Sequence, residues 1–299
     1  MVTVSTSAFY GRANQQIGSL RTRAEAMQEQ IGTGKRLTRS SDDPAAAARL
    51  RSLDRRERLS MVDQSNSDRA ATDLKLADDA VSSMADIVIR AKELSLQARS
   101  TVLNDAGHKV IATEISNLRQ QLLTLANARD AAGHALFGGE AAGEPYVETA
   151  GVVSYQGVGM APKTDLGDGQ SVQRSMTGPD IVSFSGTDLF AVLGTLAAGL
   201  ASGGATALGA AGDALGLLDA GLEKVTTAQT VIGTRQAWVE TIDDRRTATT
   251  DLISEERINV GGADLAGTIT RLKELMTVLE ASQASFVRLS GIRMFNQLN

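Results

Sequence analysis

The sequence predicts a mainly α-helical protein with a small β-rich insertion, in which long helices form an elongated rod of antiparallel coiled coil. Apolar residues recur three and four positions apart near both ends of the 299-residue chain, and this period vanishes between Phe137 and Phe184. Such narrow apolar stripes are typical of helices wound side by side. Aromatic residues make up only 3% of the chain, which is little bulk for the core of a large enzyme.

Five segments carry the helical stripe. Their members are, in chain order, Ile17, Leu20, Ala24, Met27 and Ile31; Leu74, Ala77, Val81, Met84, Val88 and Ala91; Ile111, Ile115, Leu118, Leu122 and Leu125; Leu208, Ala211, Leu215, Leu218, Leu222, Val225, Ile232 and Val239; and Leu265, Ile269, Leu272, Met276, Leu279 and Phe286. Glycine loses more backbone entropy than alanine in a helix. The glycines of "GTGK" and "NVGG" therefore predict breaks after the first segment and before the last.

Two adjacent carboxylates, Asp42 and Asp43, stand before Pro44 and an alanine run. They could be a catalytic or metal-binding pair, or they could mark the start of a helix. Proline is well suited to the first helical position, and an aspartate before it can cap the exposed amides. We therefore interpret Asp43 as the helix cap, Pro44 as the first turn, and Asp42 as favourable charge near the helix N-terminus.

The middle of the chain reads as β structure. Glycines and prolines punctuate three short β-prone runs, "GVVSYQ", "QSVQRSM" and "DIVSFS", as in a set of short strands joined by turns. The run "DLGDG" lacks the spaced acids of a calcium loop and predicts a β-turn.

These patterns divide the chain into three predicted domains. Residues 1–42 and 259–299 form a terminal coiled-coil domain whose order depends on assembly. Residues 43–136 and 188–258 form a long helical rod domain, and residues 137–187 form a small β-rich outer domain.

The sequence contains few residues that are suited to catalysis or to metal binding. The absence of cysteine excludes disulfides and thiolate metal sites. The two histidines, His108 and His134, are 26 positions apart, and we expect both to be ordinary surface or turn residues. The sequence predicts no catalytic residue, no cofactor and no metal site. A net charge of −5 gives no case for nucleic acid, and no apolar run reaches the ~18 residues of a membrane span.

The terminal stripes require a partner, because an isolated helix of this length is marginal in water. The two ends could pair with each other, antiparallel, or pack against neighbouring copies. The predicted assembly interface consists of Ile17, Leu20, Met27, Ile31, Leu265, Ile269, Leu272, Met276, Leu279 and Phe286.

Several passages resemble the flagellin superfamily. They are "MQEQIGTGKRLTRSSDDPAAAARL", "ALFGGEAAGEPYV" and "ADLAGTITRLKELMTVLEASQASFVRLS". The similarity is closest to the hook-associated protein 3 branch, because flagellins proper tend to have alanine where Pro44 stands. The ending "GIRMFNQLN" departs from the more apolar ending usual for the superfamily.

The resemblance implies a structural subunit of the bacterial flagellum, an adapter at the hook–filament junction, and not an enzyme. It implies a cytoplasmic stage, then export through the flagellar type III apparatus. The implied partners are copies of itself in a ring, a neighbouring hook-associated protein, flagellin, and an export chaperone at the C-terminal helix. Flagellin itself is the alternative, and a soluble coiled-coil signalling or chaperone protein is a third interpretation.

Overall fold

A computed structural model describes residues 6–100 and 103–296. Within them there are seven helices, and six short strands lie between the third helix and the fifth. The helices are α1 Thr6–Thr33, α2 Pro44–Ala98, α3 Asp105–Ala126, α4 Gly178–Val182, α5 Leu189–Ser202, α6 Gly204–Gly261 and α7 Leu265–Asn296. The strands are β1 Tyr146–Thr149, β2 Val152–Tyr155, β3 Lys163–Gly167, β4 Gln170–Gln173, β5 Ser183–Phe184 and β6 Thr187–Asp188. The predicted mainly helical class with a small β-rich insertion is confirmed.

The chain divides into two compact units. The terminal unit comprises the described residues up to Arg58 and from Thr249 onward, and the central unit comprises Leu59–Ala248. Helices α2 and α6 each contribute to both units. The predicted domain boundaries, near residues 42 and 259 and around the insertion, concern independent folding and assembly and stay predictions.

In the terminal unit, α1 and α7 pack together antiparallel. The rings of Tyr10 and Phe286 meet edge to face with centroids 5.4 Å apart. At the other end of the pair, Lys35 and Gly262 form an antiparallel bridge. Of the two arrangements left open by the sequence, pairing of the two terminal helices with each other is the one observed.

The two predicted helix breaks meet in the terminal unit. The Arg36 amide donates to the Gly261 carbonyl (2.8 Å), and the Ala263 amide donates to the Gly34 carbonyl (2.9 Å). Gly34 has φ +66°, a backbone conformation that glycine adopts without steric cost. This short ladder fixes where α1 ends against where α7 begins.

The core of the central unit follows the predicted stripes on α2 and α3 closely. All six residues of the α2 stripe are fully buried, and on α3 Ile111, Ile115, Leu118 and Leu122 are buried while Leu125 is partly buried. On these helices the large apolar residues and the helical period point to the same face, so the period alone identified the core.

The stripe on α6 is only partly right. Ala211, Leu218, Val225, Ile232 and Val239 are buried as expected. Leu208, however, is 37% exposed, and Leu215 and Leu222 are half-buried. The buried positions are instead Ala207, Ala214 and Ala228. Small side chains let α6 approach its neighbours closely, and a Cβ added at Gly199 of α5 would collide with Ala210.

Three two-stranded antiparallel sheets make up the insertion: β1 with β2, β3 with β4, and β5 with β6. The runs "GVVSYQ" and "QSVQRSM" contain β2 and β4. The run "DIVSFS" is a correction, because its first half belongs to α4 and only Ser183–Phe184 is strand. Pro179 stands at the start of α4, where proline favours a helix. The β-turn predicted for "DLGDG" is confirmed, with Asp168 and Gly169 both at positive φ between β3 and β4.

Arginines from the helices fix the insertion in place. Arg119 of α3 bonds the Glu148 carboxylate (2.7 Å) and the carbonyls of Gly151 and Phe190. Arg235 of α6 donates to the Ser175 carbonyl at 2.5 Å, and its burial lowers its pKa. Phe137, Tyr146, Leu166 and Val172 of the insertion are buried in the same core as the helices. The β hairpins are thus held by both polar and apolar contacts.

Helix α2 begins at Pro44. The Asp43 side chain accepts a hydrogen bond from the Ala46 amide (3.0 Å) and another from Arg36 Nη2 (3.2 Å). These two bonds, the amide first, hold the pKa of Asp43 below its ordinary value of 3.8. Arg36 Nη2 also donates to the Val260 carbonyl (3.0 Å), which connects the start of α2 to the end of α6.

Asp42 lies in the turn that leads into α2. Its carboxylate accepts from the Arg39 amide (2.8 Å) and the Thr38 hydroxyl (3.2 Å), and the amide bond is the largest cause of its lowered pKa. It therefore closes this turn, and its favourable charge near the helix N-terminus stays a prediction.

Replacing Asp43 with alanine should fray the start of α2, because the Ala46 amide loses its acceptor. We expect its hydrogen exchange to accelerate roughly five-fold, as loss of a helix cap typically allows. Asp42→Ala is the matched control and should mobilise residues 38–42 without changing exchange at Ala46. Since the pKa of Asp43 is lower in the folded chain, the protection is present above pH 3.8 and declines as the pH falls through the depressed pKa. Equal exchange at Ala46 in both variants would contradict the cap.

Candidate assembly surfaces

The ten residues predicted as an assembly interface fall into two groups. Six of them, Ile17, Leu20, Met27, Ile31, Leu272 and Leu279, are half-buried, as is Phe286. The other three, all on α7, are exposed: Leu265 at 45%, Ile269 at 41% and Met276 at 37%. The α1–α7 pair therefore covers part of the predicted interface and leaves part of it open to solvent.

Helical geometry explains the division. Ile269 and Met276 follow Leu265 by four and eleven residues, so the three side chains lie within about 40° of one another around α7. Leu272 and Leu279 lie on the adjoining side, in the row that faces α1. The apolar face of α7 is thus wider than the single helix packed on it. We call the exposed row of Leu265, Ile269 and Met276 the open flank of α7.

Even on the side where α1 and α7 contact each other, few side chains are fully buried. Ala24 on α1 and Thr268 on α7 are buried, at 5% and 7% exposure, and both are small. The larger apolar residues around them stay half-buried. A two-helix pair cannot enclose its large side chains, because each of them has a neighbour on one side only.

Ion pairs hold α2 to α6 within the terminal unit. Arg49 and Glu256 form a two-pronged pair with distances of 2.6 and 2.8 Å, and this pairing lowers the pKa of Glu256. Arg257 lies 3.0 Å from Asp54 and 2.7 Å from Glu57. Because these charged groups are largely exposed, the ion pairs contribute little to stability. Their main effect is to fix the register of α2 against α6.

The two histidines show no sign of chemistry, although one of them is not where we expected it. His108 is buried, at 3% exposure, because its ring packs at the α2–α3 junction with Nε2 2.9 Å from the Ala98 carbonyl. His134 is exposed in a turn beside Asp130. Among the described residues no group of histidines and acids could hold a metal ion. In the same part of the chain, no helix is both long and apolar enough to cross a membrane.

The chain is similar to several known flagellar proteins. A model of the bacterial flagellin N-terminal helical region matches residues 4–142. Flagellar hook-associated protein 3 of Escherichia coli (strain K12) is 28% identical over 93% of this chain and 94% of its own. Flagellar hook-associated protein 3 of Salmonella typhimurium is 26% identical over 99% of each chain.

Solved structures share the fold. A flagellar hook-associated protein described from Vibrio parahaemolyticus aligns with a TM-score of 0.68 at 21% identity, over 73% of this chain and 98% of that one. The flagellar junction protein FlgL from Legionella pneumophila aligns with a TM-score of 0.61 at 15% identity, over 71% and 99%.

The matched family is a structural flagellar protein and not an enzyme. The matched model covers α1, α2 and α3, so it includes the α1 side of the predicted interface, whereas α7 with its open flank lies outside it. Residues 4–142 therefore match the bacterial flagellin N-terminal helical region, the fold is shared with flagellar hook-associated proteins, and the resemblance to the flagellin superfamily is confirmed.

Proposed function

We propose that this chain is a structural subunit of the bacterial flagellum and acts as an adapter at the hook–filament junction. Two things support the proposal. Its similarity to flagellar hook-associated protein 3 extends over nearly the whole of both chains. Its terminal helices carry an apolar surface that the chain itself leaves open, which is what a subunit needs in order to join its neighbours.

The open flank of α7 is the observation that carries the self-association part. Its three side chains are 37–45% exposed. Covering that remainder would yield about 1 kcal/mol for each residue, given about 1.5–3 kcal/mol for full burial. One contact of this size is weak. A ring of copies repeats it around an axis, and the summed burial then holds the assembly.

We further propose that the ring stands between a hook-associated protein on one side and flagellin on the other. A protein that adjoins flagellin must present helices that pack with flagellin's own. The flagellin-type region at residues 4–142 supplies helices of that kind, and the terminal pair offers both of its stripes.

Export through the flagellar type III apparatus is part of the same proposal. Before export, a chain with an uncovered apolar helix face is prone to associate in the cytoplasm. A chaperone seated on the C-terminal helix would cover the open flank until the chain is exported and assembled. The same residues would then serve two partners in succession.

Flagellin is the alternative function, since the matched model describes a flagellin region. The full-length similarity to hook-associated protein 3 favours the junction. A soluble coiled-coil signalling or chaperone protein receives no support from any of these relatives.

Charge introduced on the open flank should block assembly without unfolding the chain. We expect Ile269→Asp with Met276→Asp to abolish incorporation into flagella and to leave bacteria non-motile, because a carboxylate cannot be buried in an apolar contact. The central unit should keep its fold, which Trp238 fluorescence and circular dichroism can report. Incorporation would be measured by immunoblotting sheared flagella.

The matched control is Val110→Asp on α3. Val110 is 68% exposed and lies in the central unit, so the same chemical change is made away from the open flank. We expect normal incorporation in this variant. If the flank variant enters flagella as efficiently as the control, α7 does not use this surface for assembly.

The position along the flagellum separates the junction from the filament. Immunogold labelling of isolated flagella should give a single band at the distal end of the hook, since an adapter is needed only at that joint. Decoration along the whole filament would show that the chain is flagellin. Flagella without any label, from cells that contain the protein, would reject both functions.

A further inference from the structure

A cleft of about 400 Å³ opens beside the two helix breaks of the terminal unit. Its apolar lining includes Leu37, Ala47, Leu50 and Ile258, and Ile258 is 66% exposed. A volume of this size accommodates a few side chains from a neighbouring protein rather than a single water molecule.

Cations surround this apolar lining. Lys35, Arg39 and Arg51 border the cleft, are all exposed, and form no ion pair within the described part of the chain. A fourth cation, Arg257, is already engaged by Asp54 and Glu57. Exposed positive charges around an apolar lining fit a partner that presents carboxylates next to an aliphatic side chain.

The terminal unit displays such a surface elsewhere, on α6. Asp251 and Glu255 are exposed, are four residues apart on one helix face, and have no ion-pair partner among the described residues. Leu252 beside them is 66% exposed. We call these three residues the acidic face of α6.

The acidic face and the cleft adjoin each other on α6. Ile253 is buried and Glu256 reaches Arg49 on α2, so this side of α6 faces α2. Of the residues that line the cleft, Arg257 lies about 200° around α6 from Glu255, whereas Ile258 lies within about 20° of Asp251. Because one helix carries both surfaces, the acidic face cannot reach the cleft of its own chain.

We propose that the acidic face of one copy docks into the basic cleft of the next copy, with Asp251 and Glu255 against the cations of the cleft. The inference rests on the proposed function, since it requires copies side by side. The proposed contact joins two different surfaces of neighbouring copies and is therefore head-to-tail, the kind that continues around a ring or along a helix.

A second copy fits the cleft better than a polyanion does. The carboxylates of Asp54 and Glu57 stand next to the cations, and the whole chain carries a net charge of −5, so a nucleic acid would meet repulsion as well as attraction. Aliphatic lining offers nothing to a phosphate, whereas it can receive a side chain such as Leu252.

Charge reversal and charge exchange test the contact. The purified full-length chain would be compared with Arg39→Glu plus Arg51→Glu, with Asp251→Lys plus Glu255→Lys, and with all four changes together. We expect the wild type to form oligomers larger than dimers in sedimentation velocity at high protein concentration. Each double reversal should weaken association at least about tenfold, because attraction becomes repulsion. The fourfold variant should recover most of it, and salt should weaken the wild-type association.

A control double variant, Lys109→Glu with Glu144→Lys, reverses two exposed charges of the central unit and should associate like the wild type. Circular dichroism would show that every variant keeps its helices. A wild type that stays monomeric or stops at dimers, reversals without effect, or a fourfold variant that fails to recover would each overturn the inference. In that case a band of immunogold at the hook end would leave the junction function standing. Charge-dependent association without labelling of flagella would overturn the junction function alone.

Discussion

The two terminal helices carry more apolar surface than a single chain buries. The rest of the structure depends on this constraint. Helix α1 lies along one side of α7 and buries only small residues fully, Ala24 and Thr268. Larger side chains on the contact side remain half in solvent, and a further row is left open. Among the described residues no third element closes over this pair, and under the proposed function neighbouring subunits supply the missing cover.

The position of that pair is fixed by polar contacts. The short ladder between residues 34–36 and 261–263 sets the register of α1 against α7, and Arg36 adds a bridge from Asp43 to the Val260 carbonyl. These hydrogen bonds contribute modestly to stability, at about 1 kcal/mol each. Their directionality is more valuable, because it holds both ends of the chain in one alignment while the apolar contact is incomplete.

The sequence predicted the fold where size and periodicity agree. On α2 and α3 the large apolar residues and the helical period point to one face, and that face is the core. On α6 the row that contains Leu218 is buried as predicted, but the row of Leu208, Leu215 and Leu222 is the wrong one. The structure buries Ala207, Ala214 and Ala228 instead, because close approach to neighbouring helices favours small side chains. Periodicity cannot rank two faces when the partner helix is unknown.

The sequence could not show how the insertion is held in place or which part of the candidate surfaces stays exposed, and the reasons differ. Arg119 and Arg235 look like ordinary charges on solvated helix faces, and only the tertiary fold shows that they hold the hairpins. The terminal stripes were predicted as a whole, but which half of them stays exposed depends on the width of α7 relative to α1. The cleft requires Arg39 and Ile258, 219 positions apart in the sequence, to come together, which no local pattern can reveal.

The two units satisfy their polar and apolar groups to different degrees. In the central unit, arginines reach buried carbonyls and the apolar stripes of several helices close on one another. In the terminal unit, the open flank of α7 is exposed, and Lys35, Arg39 and Arg51 beside the cleft and the acidic face of α6 form no ion pair among the described residues. Such exposed groups cost the folded chain little free energy while water solvates them. They contribute favourable free energy only when a partner contacts them. A chain built like this is suited to join other subunits through its terminal unit, while the central unit needs no partner to complete its core.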